Sequence, residues 1–293
     1  MSHVDDESEI EASRAPLMDH LIELRHRLII CALALGVGFV ICFVFSREMY
    51  GLLTRPLQMA ASLLAEQKAG RHGPFDLVMA VTGLHHPAAA AAPVKMVFTG
   101  PLEFFFTKMK MSLAGAVVIT FPVLAWQLYR FVAPGLYRRE RMAFLPFLLA
   151  APILFLLGAS LVYFVMLPFV LWFSLSQQIS APGLEIQMLP KVSEYLNLVI
   201  QLLLAFGLCF QLPVVVTLAG SAGLIQGSTL AKGRRYAFVI IIIIAALVTP
   251  PDMISPFLLA IPLYALYEVS VWCVRLIEHR RAREETTDIV RPV

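Results

Sequence analysis

Polar residues thin out six times along the chain, leaving apolar runs at Leu28–Phe45, Met111–Tyr129, Met142–Phe173, Tyr195–Ala219, Ala237–Thr249 and Phe257–Val274. Inside a bilayer an unsatisfied backbone group costs several kcal/mol, so each run is expected to be helical, and none shows the dyad alternation of a membrane barrel. The first run is 18 residues long, followed by Ser46, Arg47 and Glu48 without a small-residue cleavage site, and so reads as a span instead of a signal peptide. Just before it, Leu17, Leu21, Leu24 and Leu28 form a stripe at helical spacing, which predicts an amphipathic segment running into the membrane interface. The expected architecture is all-α and polytopic: six transmembrane helices, the fifth and sixth short, forming a concave bundle.

Composition strengthens this reading. Hydrophobic residues make up 59% of the 293 and charged residues 15%, more apolar side chain than a soluble core can hide. A net charge of +3 gives no nucleic-acid signal. The four cysteines, Cys31, Cys42, Cys209 and Cys273, sit in apolar runs without metal-type spacing and read as core filler.

Six spans put both termini on one side. If that side is the cytoplasm, its segments hold 15 of the 23 Lys and Arg residues, against a 55-residue opposite segment from Ser46 to Gly100. The positive-inside rule then assigns 1–27 as a cytoplasmic N-terminal segment, 28–276 as the membrane domain and 277–293 as a cytoplasmic tail. Within the membrane domain, 46–100, 174–193 and 250–256 become periplasmic and 130–141 and 220–236 cytoplasmic. The fifth run, Ala237–Thr249, has 13 residues and ends at "TPPD". At about 1.5 Å per residue it reaches about 20 Å of an approximately 30 Å core, so the last hairpin either thins the bilayer or is buried by neighbours. Pro122, Pro146, Pro152, Pro168, Pro213 and Pro262 punctuate the other spans, either bending them into a concave wall or aiding packing.

Ionisable groups inside the spans are few. Glu268 is the carboxylate well inside a run, and Arg275, two turns on, offers a structural partner; otherwise Glu268 reaches the inner interface. Gln211 lies mid-span in "AFGLCFQLPVVV" and needs a partner in the bundle or on another chain's helix. Glu23 either pairs with Arg27 at i+4 or accepts a cation from outside. The sequence carries no phosphate loop, no HExxH and no nucleophile with a base nearby, and His85 and His86 in "HPAAAAAP" do not make a metal site; no cofactor, metal or catalytic role is expected. Sparse mid-membrane charge weighs against the alternative of a secondary transporter for a small solute.

Five segments in order, "HLIELRHRL", "VFTGPLEFFFTKMKMSL", "PVLAWQLYRFVAPGLYRRER", "VSEYLNLVIQLLLAFGLCFQLPVVV" and "LVTPPDMISPFLLAIPLYALYE", resemble the signature segments of TatC, the multispanning subunit of the twin-arginine protein translocase, from Met18 to Glu278. The resemblance implies a receptor in the bacterial inner membrane. Glu23 and Glu140 would be its acidic positions for paired-arginine signal peptides, with Arg25 and Phe131 on the same surface. Pro56 and Gln127 match structural positions, and Gln211, Thr249 and Asp252 match contacts to single-span TatA-like and TatB-like partners. It further implies homo-oligomers within a larger complex, contact with membrane lipid, and export of folded proteins driven by the proton-motive force. Three features depart from the family pattern: Gln211, where relatives often have Glu; Pro256 in place of a polar residue; and a long Ala-rich loop from Leu57 to Phe98.

Overall fold

The computed structural model describes residues 3–68, 95–132, 145–181, 184–186, 189–221, 223, 225–248 and 255–289. Among them the chain forms helices α1 (His3–Val44), α2 (Ser46–Lys68), α3 (Glu103–Val132) and α4 (Leu145–Leu161). A π turn, Val162–Met166, joins α4 to α5 (Leu167–Ser176). The rest comprises α6 (Val192–Cys209), α7 (Leu212–Ser221), α8 (Gly227–Lys232), α9 (Arg234–Val248) and α10 (Ser255–Ile289). A small antiparallel hairpin, β1 (Ile179–Ala181) with β2 (Leu184–Ile186), lies between α5 and α6. The end of the bundle that carries the basic connections is called inner below, and the opposite end outer.

Among the described residues, five stretches are long and apolar enough to cross a membrane: Leu21–Val44, Glu103–Phe131, Leu149–Ser176, Val192–Ser221 and Leu259–His279. The helix α9, with 15 residues, is the short fifth element, covering about 22 Å. The sixth helix runs further than its apolar run indicates, 35 residues in all, because nothing between Glu268 and Ile289 breaks a helix. Likewise α1 passes unbroken from the N-terminal segment into the first span, so no break in the helix marks the boundary expected at residue 27.

Packing follows the chain in pairs. α1 lies along α3, and α3 packs on α4 and α6. α4 packs on α6, and α7 and α9 pack on α10. The α1–α3 crossing is close because Gly38 has no side chain: a Cβ there would stand 2.8 Å from Thr120 Cγ2.

The connection after the first span is more ordered than its sequence indicates. Within the long loop, "QMAASLLAE" reads as able to form one short amphipathic helix, and it is the second half of a 23-residue helix that contains Pro56. Leu53, Leu57 and Ala60 bury one stripe of α2 in the same core cluster as Leu167, Leu171 and Leu175 of α5. Pro56 has no N–H to give Leu52 O, and its ring pushes the preceding turn aside. Two tyrosines take up the freed carbonyls: Tyr163 Oη donates to Leu52 O at 2.7 Å and Tyr195 Oη to Leu53 O at 2.6 Å. Tyr163 sits in the π turn, where Leu167 N donates to Val162 O, and Tyr195 opens α6. The proline kink is thus the docking point of α2 on the third and fourth spans. Tyr195→Phe is expected to orphan a buried carbonyl and lower unfolding stability by about 1–3 kcal/mol. Unfolding in bicelles checks it, with Tyr163→Phe, on the exposed edge, costing less.

The outer connections are tied by backbone bonds, Val97 N to Pro190 O at 3.1 Å and Val192 N to Val97 O at 2.9 Å. Glu103 is their polar node. Its carboxylate accepts from Thr99 N at 2.8 Å and Gly100 N at 3.1 Å, and faces Lys191 Nζ at 3.8 Å. An acid reaching back to orphan N–H groups fixes the entry into α3.

Candidate functional site

The inner ends of α1 and α3 gather the residues that the sequence marks for recognition. Glu23 and Arg27, one turn apart on α1, form an ion pair. The two side chains are unequally placed: Arg27 is 12% exposed and Glu23 37%. The guanidinium extends beneath the carboxylate toward α3, where its Nη1 makes a long 3.4 Å contact with Gln127 O. Phe131 lies one turn beyond Gln127 and is half-buried, while Arg25 and His26 are exposed on α1. Trp126 and Tyr129 pack with ring centroids 6.3 Å apart, an aromatic pair suited to the membrane interface.

This arrangement selects the first of the two sequence alternatives for Glu23 without exhausting its chemistry. A carboxylate carries two oxygens with about four lone-pair directions, and Arg27 engages Oε1. A carboxylate that pairs with one guanidinium and keeps 37% of its side chain exposed still has chemistry for a second. Arg27 acts as the positioning residue. Glu140, the other acidic position, lies outside the described residues, as do Thr249 and Asp252.

Gln211 stands at the turn between α6 and α7, where Phe210 and Gln211 interrupt the helix ahead of Pro213. Its Nε2 donates to Ala151 O of α4 at 2.9 Å, so the amide has an in-bundle partner. Ala151 O is also positioned to take its own helix bond from four residues on, which makes the amide a supplementary donor. Gln211→Leu is therefore expected to cost only about 0.5–1.5 kcal/mol in unfolding stability, read by the same bicelle assay.

Glu268 does not pair with Arg275. Its Oε2 meets Arg234 Nη2 at 2.8 Å, because α9 packs antiparallel to α10 and brings its first residue alongside. Arg275 turns instead toward α8, whose Gly227 would clash with its Cγ at 2.8 Å if it carried a Cβ. Two further bonds close this inner corner, Tyr267 Oη to Leu230 O at 2.7 Å and Gly227 N to Glu278 Oε1 at 2.8 Å. Sequence reasoning missed this pairing, and also the roles of Tyr163, Tyr195 and Glu103. For Glu103 a signal existed, the acid shortly after "TG"; for the others the partners lie in distant segments.

Among the described residues no group of three or more His, Cys, Asp or Glu could hold a metal ion. The site offers ion pairing and hydrogen bonding.

Comparison with known proteins identifies relatives of the chain. The family profile described as Sec-independent protein translocase protein (TatC) matches residues 19–262. The Sec-independent protein translocase protein TatC of Magnetococcus marinus is 38% identical over 275 residues, covering 94% of this chain and 89% of that protein. The TatC protein of Escherichia coli K12 is 32% identical over 271 residues, 92% of each chain. A crystal structure described as the twin arginine translocase receptor TatC superposes with a TM-score of 0.67 at 33% identity, covering 88% of this chain and 99% of that one.

Proposed function

The chain belongs to the TatC family of Sec-independent protein translocase proteins, and from that premise we propose that it is the receptor that reads paired-arginine signal peptides at its inner face. It is a multi-pass membrane protein and a translocase component, not an enzyme. The observation that carries the receptor reading is the posture of Glu23, fastened by the more buried Arg27 yet itself more than one-third exposed. Guanidinium and carboxylate form charge-assisted, often bidentate bonds that a lysine's point charge does not reproduce, which supports discrimination of arginine from lysine. Glu140 would supply the second carboxylate, Arg25 and Phe131 the flanking surface, and Gln127 the backbone anchor for Arg27.

The remaining assignments follow the same premise. The basic segments face the cytoplasm of a bacterial inner membrane, with 1–27 and 277–293 on that side and 28–276 as the membrane domain. TatA-like and TatB-like single-span partners dock near Gln211, Thr249 and Asp252, with the side-chain Oε1 of Gln211 as the group offered to them. Copies of the chain act together in the larger complex. Transport draws on the proton-motive force, worth about 2.3 kcal/mol per charge per 100 mV of membrane potential.

The test is export in cells where this chain is the sole copy of its kind. A folded reporter behind an Arg-Arg signal should reach the outer side, and the same reporter behind Lys-Lys should not. Equal export of both would overturn the receptor reading.

A further inference from the structure

The helix α6 exposes Glu194, Asn197 and Gln201 on one line, opposite the buried face formed by Tyr195, Val199, Leu202 and Phe206. Further along, the same line becomes apolar, ending at Leu208, which is 58% exposed. Thus one helix face reads acid, amide, amide and then leucine from its outer end inward. Neither Asn197 nor Gln201 has a hydrogen-bond partner among the described residues. A hydrocarbon environment would leave both amides unsatisfied, each with donors and acceptors to fill.

Depth sharpens the question. The span Val192–Ser221 has 30 residues, about 45 Å of helix against an approximately 30 Å core. Centred in the membrane, it places Asn197 at the outer boundary and Gln201 about 6 Å inside it. The neighbouring α9, which packs against α6, reaches only about 22 Å and cannot wall the full thickness of lipid beside this face.

We propose that the exposed face of α6 lines a water-filled recess that opens on the outer side and ends between Gln201 and Leu208. Water satisfies donors and acceptors at three successive turns without requiring a complementary polar row on another helix. The change from amide to leucine marks where water gives way to lipid. The recess is independent of the signal-peptide reading, since it lies on another helix and at the opposite end of the bundle.

The test is thiol accessibility in intact cells. Cys31, Cys42, Cys209 and Cys273 are first replaced by alanine, with reporter export confirming that the protein still works. Single cysteines are then placed as Glu194→Cys, Asn197→Cys, Gln201→Cys and Leu208→Cys, and a membrane-impermeant maleimide is added from outside. Because the thiolate must be hydrated to react, the first three should label at least about tenfold faster than the fourth. Labelling of position 201 as slow as 208 would mean lipid covers the whole face and would overturn the proposal. Fast labelling of all four would overturn the proposed floor. Labelling of 201 only after single-span partners are deleted would show that a partner helix occupies the face, and would overturn it equally.

Discussion

Glu23→Gln is expected to weaken binding of an Arg-Arg signal peptide by about 10- to 100-fold while leaving the protein folded. A hydrogen bond to a charged group is worth about 1.5–3 kcal/mol, and the amide keeps an oxygen for Arg27 while losing the charge that attracts a second guanidinium. Partial exposure of Glu23 reduces the Coulomb share, which places the expected loss toward the lower end of that range. Glu23→Ala should bind as poorly but also lower stability, because it strands Arg27, which is 12% exposed and among the described residues otherwise reaches only the Gln127 carbonyl. Titration of a fluorescent signal peptide against each variant in nanodiscs checks the first effect, and thermal unfolding the second. An unchanged Arg-Arg affinity in Glu23→Gln would confine Glu23 to its local pair with Arg27.

The largest stability effect is expected at Gly207. A Cβ at this position would stand 2.5 Å from Phe155 Cε2 and 2.7 Å from Cζ. The ring has nowhere to go, since Phe155 is fully buried and stacks on Phe121 with centroids 4.1 Å apart. The crossing is reciprocal. On α4, a Cβ at Gly158 would meet Phe210 Cγ at 2.7 Å and the Phe206 carbonyl at 2.8 Å. Each helix therefore offers a glycine notch to the other's phenylalanine, and this interlock sets the approach of the third and fourth spans. Overpacking a tight core costs about 1–3 kcal/mol, and Gly207→Leu should exceed that range because ring and backbone both resist displacement. Loss of folded protein from membranes is the expected result. Gly207→Ala should be milder, and combining it with Phe155→Leu should recover part of the loss, a coupling read by a double-mutant cycle. Additive losses would show that the two residues do not share the crossing.

The spans were legible because lipid imposes an apolar length on each helix, and the hydropathy pattern carries that length directly. Glu23 with Arg27 was legible because both partners lie within one turn of one helix. Helix α2 was underestimated because the carbonyls freed by Pro56 are supplied with donors by Tyr163 and Tyr195, more than 100 residues away. The partner of Glu268 was misassigned for the same reason: Arg275 shares its helix, but Arg234 arrives across the hairpin. Gln211 posed a choice that only tertiary structure settles, and its bond to Ala151 spans 60 positions. Sequence thus gives what one helix decides alone, and leaves open what two helices decide together.

The most direct test of the receptor account is photocrosslinking of a signal peptide to this protein in native membranes, with Arg-Arg and Lys-Lys peptides compared in wild type, Glu23→Ala and Glu140→Ala. The account predicts an adduct that forms with Arg-Arg, maps to the inner ends of α1 and α3, and fades with Lys-Lys and with either substitution. An adduct of equal yield in all six combinations would contradict it and move signal recognition to another surface.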